Sequence, residues 1–208
     1  EHNTNLAKKA IISSSYSGTS YLVFDTRNKV FLAPGDWGMV MPVYDELEAV
    51  SVLGMLNSKN DGEGLIIMKD VANQMKVVYV NAKNSVLKSV WPETKGNIVE
   101  NSVFLTSMKE SILYYSKGNE IFRYNFESDG NFPSSSDYTV GEDGDVIKGM
   151  VLDPQEKNLY VALDAAGNQE YKGCVYCYDV ATKSLKWKER GVAGEIVQMI
   201  YKEQKQTN

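Results

Sequence analysis

Cys174 and Cys177 form a C-x-x-C pair within Gly173-Cys174-Val175-Tyr176-Cys177. Two thiolates at that spacing hold a metal or exchange electrons when a helix starts beside them. Here the intervening residues are Val and Tyr, which favour strands, and strand residues three apart project to opposite faces. The pair therefore reads as buried filling rather than a metal or redox centre. The acidic loops are the next candidates. Asn125-Phe126-Glu127-Ser128-Asp129-Gly130 follows the first half of a calcium-binding loop, but its twelfth position is Ser136, where a bidentate Glu is required. Glu142-Asp143-Gly144-Asp145 gathers three carboxylates without a coordination spacing and reads as a solvated turn. The single histidine is His2, so a His-based triad, zinc site or proton relay has no residue within the body of the chain. Neither a Gly-x-Ser-x-Gly elbow nor a phosphate-binding Gly-x-x-x-x-Gly-Lys-Ser/Thr loop occurs. Paired loop carboxylates leave a carbohydrate-active hydrolase or lyase as the enzymatic alternative. No metal and no cofactor is implied.

The elements that must position these residues are strands. The chain has 208 residues, of which 43% are hydrophobic and 24% charged, enough to bury a core without disulfides or metals. Lys and Arg number 22 against 27 Asp and Glu, a net charge of -5. An acidic chain without basic runs excludes nucleic acid and anionic membrane as ready partners. The longest apolar runs, such as Leu65–Met68 and Val77–Val80, fall far short of the roughly 20 residues a membrane helix needs. The polar start, Glu1 to Asn5, is not a signal peptide, and the expectation is that something upstream was removed.

Val-, Ile-, Tyr- and Phe-rich runs alternate with clusters of Gly, Asn, Asp, Ser and Lys, which is strand and turn chemistry. Four runs resemble one another: Tyr21–Phe24, Leu65–Met68, Ile112–Tyr115 and Leu159–Ala162, with starts 44, 47 and 47 residues apart. That period is the size of a propeller blade. Each run is preceded by one apolar strand and followed by two more, the last of them Met39–Val43, Val86–Val90, Tyr138–Val140 and Leu185–Trp187. The predicted fold is all-β, a β-propeller of about four blades of four antiparallel strands, as part of a larger ring. The units span about 8–47, 48–97, 98–145 and 146–192, with a spare strand at 195–202. Sheets with two apolar faces must stack face to face, so apolar runs replace clean alternation. The spare strand matches the first strand of a unit, and further blades from a missing N-terminal region are the expected partners for it. A compact four-blade ring with one added edge strand is the alternative.

The fourth unit carries the clearest resemblance. Gly173-Cys174-Val175-Tyr176-Cys177-Tyr178-Asp179, the turn at Thr182-Lys183 and then Leu185-Lys186-Trp187 are similar to the third and fourth strands of a quinoprotein-like repeat. Lys183 stands where that family has Gly, and the other units lack the Leu-x-Trp, so the quinone cofactor is not carried over. The Lys/Asn/Gly-rich turns and the final Ile196-Val197-Gln198-Met199-Ile200-Tyr201 resemble the C-terminal propeller of the PKD-like family of bacterial surface lipoproteins. That resemblance implies a non-enzymatic role outside the cytoplasm, periplasmic or at the outer-membrane surface; the expected function is a binding or scaffold module for a glycan or protein ligand.

In such a fold the loops joining the second strand to the third, and the fourth to the next blade, crowd one end. They place Arg27, Asn73, Trp91, Asp164, Asn168 and Tyr171 there, a mix of hydrogen-bonding and stacking groups suited to sugars or peptides. The longest loop, with Asn168-Gln169-Glu170-Tyr171, is the best single candidate. Trp37 reads as a turn aromatic at the opposite end, and Trp187 as core.

Overall fold

The computed structural model describes residues 97–128 and 130–202 throughout, and before them residues 9–15, 18–25, 30–32, 40–42, 49–57, 63–70, 73–81 and 86–90. All regular structure among the described residues is β. Four antiparallel four-stranded sheets follow one another, each paired in simple chain order. The first holds β1 (Lys9–Ser15), β2 (Gly18–Asp25), β3 (Val30–Leu32) and β4 (Val40–Pro42). The second holds β5 (Ala49–Asn57), β6 (Glu63–Asp70), β7 (Met75–Asn81) and β8 (Val86–Val90). The third holds β9 (Phe104–Thr106), β10 (Ile112–Lys117), β11 (Glu120–Asn125) and β12 (Tyr138–Thr139). The fourth holds β13 (Val146–Leu152), β14 (Asn158–Asp164), β15 (Gly173–Asp179) and β16 (Leu185–Ala193). The chain divides into two compact units, Glu1–Gly96 with Phe126–Phe132, and Asn97–Asn125 with Pro133–Asn208.

In the first unit β1 and β5, the opening strands of their sheets, lie side by side. Ile67 and Val77 face each other across β6 and β7, and both are fully buried, as is Leu65. In the second unit β9 and β13 are neighbours in the same way. Cross-strand partners share a face, so the register defines what each face carries. One face of the third sheet presents Ile112, Tyr114, Ile121 and Tyr138. It meets the face of the fourth sheet that carries Leu159 and Tyr178, Val161 and Tyr176, and Leu163 and Cys174. Burying each such side chain contributes about 1.5–3 kcal/mol relative to exposure. Tyr138 and Tyr178 meet edge-to-face at 5.4 Å, and the Tyr178 hydroxyl donates to the Thr139 carbonyl. On the third sheet's other face Leu113, Tyr115, Phe122 and Tyr124 are buried as well, with the Tyr115 and Phe122 rings stacked at 5.2 Å.

The fourth sheet's second face is different. It carries Val151, Tyr160, Cys177 and Trp187 in one row and Gly149, Ala162 and Val175 in the next. Trp187 was expected in the core, but it is 45% exposed, because its row points away from the third sheet. Cys174 and Cys177 are both buried and free, one on each face of β15. The spare strand expected at 195–202 joins no sheet. The physical reason is that a strand needs a neighbouring backbone to take its hydrogen bonds, and no described residue supplies a ladder there. β16, the last strand in its sheet, is irregular at two places, between its pairings to Tyr178 and Cys177 and again between those to Cys174 and Gly173.

Candidate functional site

Three connections of the second unit converge at one end of its sheets: the β10–β11 turn, the β12–β13 connection and the β14–β15 loop. Short turns bring them together. The Ile147 N–H donates to the Gly118 carbonyl, the Val140 N–H to Asn119 O, and the Asn119 side-chain amide to Glu142 O at 3.0 Å. Asp145 sits where they meet and is only 2% exposed. Its Oδ2 accepts the Glu142 N–H at 2.9 Å and Arg190 Nη1 at 3.0 Å, while Oδ1 accepts the Ala166 N–H at 2.8 Å. Arg190 reaches in from β16 and also donates to the Tyr176 hydroxyl at 2.7 Å. Glu142 adds a longer contact to the same guanidinium at 3.9 Å.

Burial alone would raise the Asp145 pKa, but the two backbone N–H groups and the guanidinium outweigh it and hold the carboxyl below its usual range. The hydrogen bonds to Tyr176 and Asp145 in turn push the Arg190 pKa upward. Gly141 makes this packing feasible. It adopts φ +77°, and a Cβ there would fall 2.4 Å from Asp145 Oδ2. The Glu142–Asp145 turn, expected to be solvated, is thus anchored on a buried carboxylate. Sequence reading missed Asp145 and Arg190 as partners because they lie 45 residues apart.

The β14–β15 loop is pinned at both ends. The Ala165 N–H donates to Lys172 O, and the Lys172 N–H to Gly194 O. Asp164 accepts the Ile196 N–H at 3.1 Å and faces Lys148 at 3.6 Å. Between these anchors Asn168, Gln169, Glu170 and Tyr171 are all exposed, Tyr171 by 57%. Of the six residues singled out from sequence, Asp164, Asn168 and Tyr171 share this one loop. Asp164 is engaged in holding it, and the other two face solvent. Asn73 is exposed in the first unit at φ 61°, a left-handed turn position that Asn tolerates. Arg27, Trp91 and Trp37 lie outside the described residues. Ser136, the would-be twelfth residue of a calcium loop, instead donates to Glu120 at 2.8 Å.

The fold and this loop-bearing end define a β-propeller protein with about four blades of four strands. No protein-family model matches the chain, and no curated protein sequence does. Solved structures do. Sqt1 of Saccharomyces cerevisiae is similar at a TM-score of 0.62 and 13% identity, over 93% of this chain and 51% of that one. A eukaryotic initiation factor is similar at 0.58 and 14% identity, over 92% and 44%. The propeller of Dos1 is similar at 0.52 and 13% identity, over 87% and 48%. The chain therefore spans about half the length of the solved structures it matches. At these identities the likeness defines the fold, and function must be argued from the site.

Proposed function

We propose that this chain is a non-enzymatic binding or scaffold module that presents one end of its propeller sheets to a glycan or protein ligand. The observation that carries this reading is the β14–β15 loop, fixed at its base by backbone hydrogen bonds yet exposing Asn168 and Tyr171. A pre-ordered loop loses little conformational freedom on binding, and a Tyr ring offers a flat apolar surface for a sugar face or a peptide side chain. By their sequence positions, Arg27 and Asn73 fall between the second and third strands of their units and Trp91 after a fourth strand, and they extend the same reading. Asp145, the most buried carboxylate of this end, does not favour the hydrolase or lyase alternative. A general acid needs a raised pKa, whereas that of Asp145 is lowered and its oxygens are occupied. A location outside the cytoplasm of a bacterium is part of this reading, supported by the sequence resemblance to PKD-like surface lipoproteins, and cell fractionation would check it.

A glycan array followed by product analysis of every hit tests the function. The expected result is binding without turnover, weakened at least about tenfold by Tyr171→Ala, the scale of losing one good contact residue. Turnover of a bound glycan overturns the reading, as does binding that Tyr171→Ala and Asn168→Ala leave unchanged.

A further inference from the structure

Residues 195–202 lie across the second face of the fourth sheet without joining its ladder. Ile196 reaches over β15, where a Cβ on Gly173 would stand 3.0 Å from its Cγ1. Met199 lies over β13, its own Cβ 3.1 Å from where a Cβ on Gly149 would be. The Tyr201 ring is 5.9 Å from that of Tyr160 on β14. Gly149, Ala162 and Gly173, on three neighbouring strands, thus floor a shallow groove, and the segment fills it. Its inward positions are Ala193, Ile196 and Met199, each half-buried, while 194, 195, 197, 198 and 200 are exposed. A strand would turn inward at every second residue; a period of three belongs to a single extended peptide laid on a surface. The backbone is correspondingly open. Among the described residues the segment's one hydrogen bond runs from the Ile196 N–H to Asp164 Oδ1, at 3.1 Å. Half-buried seats and a single hydrogen bond open at far lower cost than the laddered sheet beneath.

We propose that this groove is a peptide-recognition site and that residues 195–202 are its built-in competitor. The ligand is an extended segment of a partner protein, with apolar residues at its first and fourth positions and an aromatic at its sixth. That pattern is the one Ile196, Met199 and Tyr201 present to the groove. Val197 and Ile200 are 92% and 76% exposed, so the groove does not select the positions they occupy. A tethered segment acts at an effective concentration of about 1 mM, so a partner peptide with an intrinsic Kd of about 0.1 mM is held back about tenfold until the segment is released. The groove is separate from the exposed loop at 168–171 and does not depend on that loop's ligand.

The probe is a fluorescein-labelled synthetic peptide of residues 194–202, its binding to the full chain read by anisotropy. Ile196→Asp with Met199→Asp in the chain frees the groove and is expected to tighten peptide binding at least about tenfold. The same two substitutions in the peptide are expected to abolish binding. A photoreactive side chain at the Met199 position of the peptide should cross-link to the stretches of chain that hold Gly149 and Ala162. In the unsubstituted chain an excess of peptide, at about 1 mM, should speed amide exchange at 196–201 by displacing the segment, a reading independent of how the substituted chain folds. Cross-links elsewhere overturn the proposal, as does a folded, substituted chain that binds the peptide no better than the unsubstituted one. Exchange at 196–201 that the peptide leaves unchanged also overturns it. So does a dimer of the full chain by light scattering in which 195–202 cross-links between copies, in favour of a second copy as the occupant.

Discussion

Replacing Asp145 with Asn changes one oxygen to an amide and removes one charge at the point where three connections meet. Asn can still accept the Ala166 N–H through Oδ1. Its NH2 group would then face two donors, the Glu142 N–H and Arg190 Nη1, which now meet at 2.9 and 3.0 Å. Each hydrogen bond to a charged group contributes about 1.5–3 kcal/mol net, and breaking a buried pair costs about 3–5 kcal/mol. Arg190 keeps 29% of its side chain in solvent and can rehydrate, which favours the lower figures. The expected loss is about 3 kcal/mol, read by urea unfolding at pH 7 followed by circular dichroism, where a slope of about 2 kcal/mol/M gives a midpoint lower by about 1.5 M. The acid limb supplies a second reading. The folded pKa of Asp145 lies below its unfolded value, so the unfolded state binds more protons as the pH falls between the two. Stability from Asp145 is complete above the unfolded value of 3.8 and is lost as the pH falls through the folded one. Asp145→Asn should therefore be less acid-sensitive below about pH 4, while Asp153 and Asp179, whose pKa values are also lowered, continue to contribute acid sensitivity. A loss under about 1 kcal/mol, with an unchanged acid limb, would refute the account of this anchor.

Gly141→Ala should destabilise by about 2 kcal/mol or more in the same assay, since the positive φ and the Asp145 contact both oppose a Cβ. Native Cys174 and Cys177 should react with a thiol reagent at pH 8 far more slowly than the urea-unfolded chain. Both are buried, and burial pushes the Cys177 thiol upward. Spectrophotometric titration should show tyrosines ionising late, with Tyr178 pushed up to about 12 by burial and by its neighbour Tyr176. Because the unfolded chain ionises first, stability should fall as the pH rises above about 10.

The strands were legible because β-branched and aromatic runs stand between Gly- and Asn-containing turns, as at Ile112–Tyr115 and Leu159–Ala162. The repeat was legible because each sheet pairs in chain order, so sequence period and sheet period coincide. The anchor of the candidate site was not, because Asp145 and Arg190 meet only when β16 comes to the edge of its sheet. Trp187 was misplaced for a related reason. Its Leu-x-Trp setting reads as buried, yet which face is covered depends on what stands beyond the sheet. Residues 195–202 have a strand's composition, but strand structure is a property of two backbones.

β16 carries Lys186, Lys188, Glu189 and Arg190 in a nearly unbroken charged run, with Gly191 at φ +71° ahead of its last pairing. Its outer edge therefore offers another strand a twisted, charged and irregular ladder, which discourages pairing. The fourth sheet's second face, with Trp187 exposed, carries no such protection. Association at this sheet is thereby channelled into layers stacked face against face, and lateral extension into a continuous fibre-like sheet is blocked at β16. The same strand that lends Arg190 to the loop anchor thus guards the protein against aggregation through its edge.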